Sequence, residues 1–330
     1  MKELIFRLAM EIAPSGSERP LAEALIGELA TAADEVHIDV LGNAIATKQG
    51  YGPHMMLVAH MDEPGVMVID IDDDGFLRLI PIGNLTASEL VGRQVNFVNG
   101  TVGLIQSEVD LKSTESYDHL FVDIGANSRE AALEKVYIGL AGAVGAEIQE
   151  LTETKLVGRA LDNRVGCAIV VQAFQELANA GRRVTAVFTA QSEPGARAAQ
   201  AAAYQVRPDL GIVIDAALAS DVPKGKGTSL RIGAGPAIKI MDATTIVPAE
   251  VKNLFQLTAE RLGIAYQHEV WPKGRTDVGA VQLMGSGVRV GGLSYPARYV
   301  GHCETVVDLT DADSVCRLAV ASAMAFSDGI

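Results

Sequence analysis

Cysteine is scarce in this 330-residue sequence: Cys167, Cys303 and Cys316 are the three present, and none forms a CxxC pair. An odd number without paired spacing argues against a disulfide framework or a thiolate zinc knot, and it fits a reducing cytoplasm. Dense lysine and arginine runs are missing too. Lys and Arg number 27 against 41 Asp and Glu, a formal net charge of −14. That balance argues against nucleic acid or an anionic membrane as partner, and solubility alone accounts for much of it. No charge-free window approaches the length of a membrane span. The opening MKELIFRLAMEIA carries Arg7 and Glu11 inside its apolar pattern, so it reads as an amphipathic helix rather than a secretory signal.

What is present is an ordinary soluble composition, 48% hydrophobic and 21% charged. The length suits one α/β core plus a smaller unit. Ser17, Glu18 and Pro20 mark a helix start before LAEALIGELATA. Two short strands flank Leu41-Gly42-Asn43, and a buried strand runs from Met55 to Ala59. Between Val66 and Val144 the pattern changes to an alternating hairpin with an Asp-Asp-Gly turn, then short strands, with one helix-like segment at 128–134. From Leu156 the α/β pattern resumes, with strands at 184–190 and 210–214 and helices at about 249–262 and 311–326. The reading is an α/β fold with a mostly parallel sheet covered by helices, interrupted by a β-barrel-like domain. Residues 1–65 and 152–330 form the α/β part, and residues 66–151 the insertion.

Four potential metal ligands close or follow apolar strand-like runs: His60, Asp162, Glu193 and Asp215. A fifth, His302, lies in a turn-like stretch near the C-terminus. Strand carboxyl ends form the ligand crevice of an α/β sheet, so residues far apart in sequence converge there. Three have an ordinary explanation alone: a surface histidine at His60, a helix N-cap at Asp162, a loop imidazole at His302. Glu193 and Asp215 are harder to dismiss, because a carboxylate at a buried strand end needs a partner. Together they outline a dinuclear hydrolase site whose two imidazoles and three carboxylates suit zinc, cobalt or manganese. Asp162 is the best candidate to be shared by both ions. Asp62 shares a side of the chain with His60 and is placed to fix its tautomer.

These residues sit in a series of motifs: APSGSE at 13–18, DVLGNAIA at 39–46, VAHMDEPG at 58–65, LFVDIGANSREAA at 120–132 and GRALDNRVGC at 158–167. QSEPGARAA at 191–199, DAALASDVP at 215–223, GRTDVGA at 274–280 and PARYVGHCE at 296–304 complete it. In this order they resemble the tetrahedral (TET-type) dinuclear metallo-aminopeptidases, the glutamyl and deblocking aminopeptidases, some formerly labelled endoglucanases. The resemblance runs essentially end to end. It implies a zinc-aminopeptidase-like domain with an inserted barrel-like domain that mediates dimers and, often, hollow dodecamers. It implies removal of N-terminal residues from short peptides by a metal-bridged water. His60, Asp162 and Asp215 would hold one ion, and Asp162, Glu193 and His302 the other. Asp62 would support His60, and Asp277 matches a site-proximal aspartate.

The chain departs from the family pattern where two consecutive glutamates are usual, the first a general base. Here the pair reads Ser192-Glu193. A serine hydroxyl does not accept a proton from water near neutral pH, and such a base is worth about 10²–10⁴-fold in rate. Arg275 replaces a more familiar glycine before Thr276-Asp277 and either shapes the pocket or lies on the surface. The expected activity is therefore an aminopeptidase, active or attenuated, in the cytoplasm. The alternatives are an inactive peptide-binding scaffold of the same assembly, and a metal-dependent deacylase or carboxypeptidase.

Overall fold

The computed structural model describes residues 1–110 and 116–329. The chain begins with α1 (Lys2–Met10) and α2 (Arg19–Leu29), followed by β1 (Glu35–Ile38), β2 (Ala44–Lys48) and β3 (Tyr51–His60). Leu4, Ile5, Leu8 and Ala9 recur at helical spacing and form the buried face of α1. Pro20 lies in the first turn of α2, where its missing N–H costs nothing. Residues 54–60 of β3 are buried without alternation, the mark of a strand covered on both faces.

The chain then leaves the large sheet for a closed barrel. Its elements are β4 (Gly65–Ile71), β5 (Leu77–Ile82), α3 (Ala87–Leu90), β6 (Gln94–Phe97), β7 (Val102–Ser107), β8 (Leu120–Asp123), α4 (Arg129–Leu133) and β9 (Ala141–Val144). The strands close in the order β4-β5-β8-β7-β6-β9, every pair antiparallel. Closure leaves no open edge for another chain to pair with. Among the described residues, two helical pieces beyond the expected 128–134 segment occur here, α3 and a 3₁₀ turn at Tyr117–His119. Both are too short for a hydrophobic period to reveal them. The barrel has its own core, built on Val66, Leu79, Phe97, Ile105 and Val122, and Cys303 from the far end of the chain joins it.

The return path runs through β10 (Gln149–Glu150), β11 (Lys155–Gly158), α5 (Leu161–Asn179), β12 (Arg182–Thr189), α6 (Ala199–Val206) and β13 (Leu210–Leu218). It ends with β14 (Ala237–Asp242), α7 (Ala249–Leu262), β15 (Gln267–Trp271), α8 (Asp277–Gln282), β16 (Val290–Arg298), β17 (Thr305–Asp308) and α9 (Leu309–Ser327). The large sheet has 11 strands among the described residues, with the main order β1-β2-β12-β3-β13-β16-β17-β11-β10. Its centre, β12-β3-β13-β16, is parallel, as is the pair β14-β15 off the main path. Antiparallel strands flank it on both sides, so the sheet is mixed where a mostly parallel one was expected. The parallel centre is what matters, because it delivers three strand ends to one crevice.

Strands β14 and β15 escaped the sequence reading for a physical reason. Their buried positions include Lys239 and Glu269, which form a fully buried ion pair across the two strands. A charge at a core position breaks the apolar alternation that identifies a strand. Glycines 291 and 292 of β16 make room for this arrangement. A Cβ at Gly291 would strike the Phe255 ring at 2.6 Å, and one at Gly292 the Lys239 stem at 2.9 Å.

Candidate metal centre

His60 is the last residue of β3, Asp215 lies within β13, and Asp162 lies at the start of α5. Their ligand atoms fall within 4.8 Å of one another. His60 Nε2 is 3.4 Å from Asp162 Oδ1 and 3.5 Å from Asp215 Oδ1. Its other nitrogen, Nδ1, faces the Asp62 backbone oxygen at 3.2 Å and Asp62 Oδ1 at 3.4 Å. The ring is thereby turned so that Nε2 is the nitrogen presented to the two acids. Asp215 does not end its strand as expected: β13 continues to Leu218, and its pairing with β16 sets the direction of the carboxylate.

Asp162 reaches the cluster because α5 starts with a break. Asp162 (φ −88°, ψ 99°) and Asn163 (φ −128°, ψ 38°) are not helical. Asn163 pins this break to the sheet by donating to the Ile214 carbonyl at 3.0 Å, next to Asp215. The Tyr295 hydroxyl lies 2.9 Å from both Leu161 O and Asn163 Oδ1. Gly166 is required here, since a Cβ would meet Asn163 Oδ1 at 2.0 Å. The sequence reading overlooked Asn163 and Tyr295. Neither is a ligand type, and their roles depend on strands more than 50 residues away.

The Asp62 carboxylate organises the opposite wall. Oδ2 accepts from the Ser15 hydroxyl at 2.6 Å and from the Glu193 N–H at 3.0 Å, and Oδ1 accepts from the Ser192 N–H at 3.0 Å. The turn after β12 is thus tied to the segment after β3. Ser192 Oγ donates to Asp277 Oδ1 at 3.0 Å, and the other Asp277 oxygen accepts from Thr189. Arg275 lies exposed two residues earlier.

Glu193 and His302 stand outside the three-residue cluster. Glu193 is half-buried, and its carboxylate packs against Gly83 of the barrel, where a Cβ would lie 2.7 Å from Oε2. His302 is 57% exposed, and its Nδ1 is 2.7 Å from Glu89 Oε2 on α3.

Beneath the site lies a second buried network absent from the sequence reading. Glu63 takes Arg159 Nη1 on both oxygens at 2.8 Å, Arg164 Nη2 at 3.0 Å and the Ala13 N–H at 2.9 Å. The same arginines cap carbonyls around the end of α1, at Leu8, Ala9 and Glu11. Buried charges persist only when paired and hydrogen-bonded in this way. The available signal was the pair of arginines flanking Asp162 in GRALDNR, with Glu63 beside the HMD motif.

Electrostatically the pocket is crowded with acids. Burial pushes the Glu193 carboxyl up to about 8; His60 opposes this, while Asp62, Asp162 and Asp215 add to it. Burial likewise raises Asp215, against the pull of His60, and takes Asp277 to about 6. Burial works against a charged His60, yet Asp215, Asp162 and Asp62 together hold its pKa well above the usual value. Asp162 Oδ1 is buried and accepts no hydrogen bond, a costly state for a carboxylate oxygen. An imidazole nitrogen with two carboxylates, one carrying a buried oxygen that accepts no hydrogen bond, fits a divalent cation.

The M42 glutamyl aminopeptidase family matches residues 42–318. A putative aminopeptidase of Acetivibrio thermocellus is 38% identical over 323 residues, which cover 97% of each chain. Among solved structures, an aminopeptidase of the archaeon Desulfurococcus kamchatkensis superposes with a TM-score of 0.91 at 34% identity, covering 97% of this chain and 93% of that one. The TET1 peptidase of Pyrococcus horikoshii, which can assemble into a tetrahedron or a large octahedral shell, gives 0.88 at 27% identity, over 97% of this chain and 98% of its own. Likeness that runs from end to end, in sequence and in fold alike, makes this chain a member of the M42 glutamyl aminopeptidase family.

Proposed function

We propose that the chain is a cytoplasmic, metal-dependent exopeptidase that removes N-terminal residues from short peptides. The observation that carries this reading is the Asp162 carboxylate, whose buried Oδ1 faces His60 Nε2 at 3.4 Å and accepts no hydrogen bond. His60, Asp162 and Asp215 would hold one divalent ion, and Asp162, Glu193 and His302 a second. When bound, such a pair supplies Lewis acidity to the scissile carbonyl and lowers the pKa of water. The remaining work belongs to the chain. Asp62 orients His60 and, through the Ser192 and Glu193 amides, holds the opposite wall in place. The surplus of carboxylates attracts the α-ammonium group of a peptide and so sets the register of cleavage.

Ser192 occupies the position from which a base would take the proton of the attacking water. Two nearby carboxylates that could stand in for such a base are held elsewhere. Glu63 is engaged by Arg159 and Arg164, and Glu304 by Arg93. Asp277 accepts from two hydroxyls and stands one hydrogen bond behind Ser192. This favours attenuated turnover, and it also motivates the second reading, a silent relative that retains peptide binding. Turnover of a panel of aminoacyl reporters by wild type and Ser192→Glu, with and without added cobalt, separates them. A gain of about 10²–10⁴-fold in the variant supports the attenuated peptidase. No turnover in either form, with cations bound, supports the scaffold. Absence of any bound cation ends the metal-dependent reading altogether.

The barrel, residues 66–151, is proposed as the dimerisation unit on the catalytic segments 1–65 and 152–330, in assemblies up to a dodecamer. Its exterior carries Ile69, Ile80, Val102 and Leu104 exposed, apolar surface that association would cover. The mass in solution, before and after Ile69→Asp with Leu104→Asp, tests this. The three cysteines are free and buried, in keeping with a reducing compartment.

A further inference from the structure

The segment carrying His302 is held by the barrel at three consecutive residues. His302 Nδ1 lies 2.7 Å from Glu89 Oε2. Cys303 is buried in the barrel core, and its carbonyl oxygen lies where a Cβ on Gly145 would be 2.5 Å away. Glu304 pairs with Arg93 and accepts the Ala146 N–H at 3.0 Å. Glu89 is itself fixed, because its other oxygen accepts the Thr86 N–H at 3.0 Å, the returning half of a capping box on α3. The imidazole is thus the exposed end of a clasp whose remaining parts are buried or ion-paired.

A carboxylate fixed by a backbone amide and set against one ring nitrogen has a definite consequence. An ionised carboxylate is acceptor-only, so Nδ1 carries the proton of a neutral ring, and Nε2 is left with its lone pair free. Partners of this kind raise the basicity of a ligating imidazole and fix its orientation. We infer that Glu89, on the barrel, is the positioning residue for His302: it accepts the Nδ1 proton and leaves Nε2 to bind a divalent cation. The inference rests on the two-ion reading above. It gives the barrel a role inside the catalytic site, separate from any role in assembly.

The test titrates cation-free wild type, Glu89→Ala and Glu89→Gln with cobalt in competition with a chromophoric chelator, counting equivalents and affinities. Glu108→Gln serves as the control, since Glu108 pairs with Arg78 on the barrel and has no contact with His302. Wild type and the control are expected to bind two equivalents. Glu89→Ala keeps one at wild-type affinity and binds the other about 10–100-fold more weakly. Glu89→Gln keeps one acceptor oxygen for Nδ1 but turns an NH2 towards the Thr86 N–H, so it falls between and decides the matter should Glu89→Ala fail to fold. Unchanged affinity for the second equivalent in the folded variants overturns the inference. Tighter binding overturns it too, because Glu89 would then be drawing the imidazole away. Fewer than two equivalents in wild type removes the two-ion reading, and the inference falls with it.

Discussion

The two halves of the proposed site are built by different means. His60, Asp162 and Asp215 are fixed from within the large sheet: by the end of β3, by the register of β13 against β16, and by Asn163 tying the start of α5 to Ile214. Glu193 and His302 meet the barrel instead, one against Gly83 and the other on Glu89. The first half is as rigid as the core that carries it, where central-strand residues are fully buried. The second half depends on how barrel and sheet dock. The proposed ions therefore differ in what controls their affinity: one answers to sheet packing, the other to the seam.

That contrast can be broken most severely at the residue proposed to serve both halves. Asp162→Ala is expected to weaken both cation equivalents by more than the ~100-fold that an outer supporting residue costs, whereas His302→Ala spares the sheet-side equivalent. Elemental analysis after dialysis reads the difference. Equal losses in the two variants would show that the halves are not separable.

Next in size is the support below the sheet half. Glu63→Gln leaves Arg159 and Arg164 buried without a counter-charge, and breaking such a network costs about 3–5 kcal/mol. Urea unfolding measures it. A loss below about 1 kcal/mol would mean that water reaches the arginines and that the network does not hold α1 to the site.

Acid also distinguishes the sheet. His54, on β3, has its pKa lowered to about 4 by burial, with Arg183 adding to this and Asp209 opposing it. The folded protein therefore disfavours protonation that the unfolded chain accepts at the ordinary histidine value of 6.5. The His54 contribution is complete above pH 6.5 and is lost as pH falls towards 4, by at most about 3 kcal/mol. His54→Gln should flatten that part of the pH–stability curve. An unchanged slope would assign it to other groups.

The smallest effect belongs to the seam. Gly83 has φ +85°, and an added Cβ would crowd Glu193 Oε2. Gly83→Ala is expected to cost about 1 kcal/mol in stability and to weaken the seam-side cation alone. A melt combined with cobalt titration resolves both. Unaltered cobalt binding would show that Glu193 is not held by this contact.

The cluster of His60, Asp162 and Asp215 in the candidate site was legible because ligand-type residues near the ends of apolar runs are conspicuous, as His60 after MMLVA is. The helices at Ala249–Leu262 and Leu309–Ser327 were legible from period alone. Glu63 with its arginines was not, since its partners stand 96 and 101 residues away and no local pattern records them. Strands β14 and β15 hid behind a buried ion pair. The continuation of β13 beyond Asp215 was hidden by AAL, which suits a helix as readily as a strand.

What the sequence settled unaided is the α/β framework and the change to barrel strands in mid-chain, with a set of acid-rich ligand candidates, because hydrophobic period and residue type are local properties. Which acids crowd one imidazole, and which histidine the barrel holds by a carboxylate, only the tertiary structure decided. Hydrogen bonds and metal ligation act over about 3 Å. At that range strand register and the docking of two separate cores determine who meets whom.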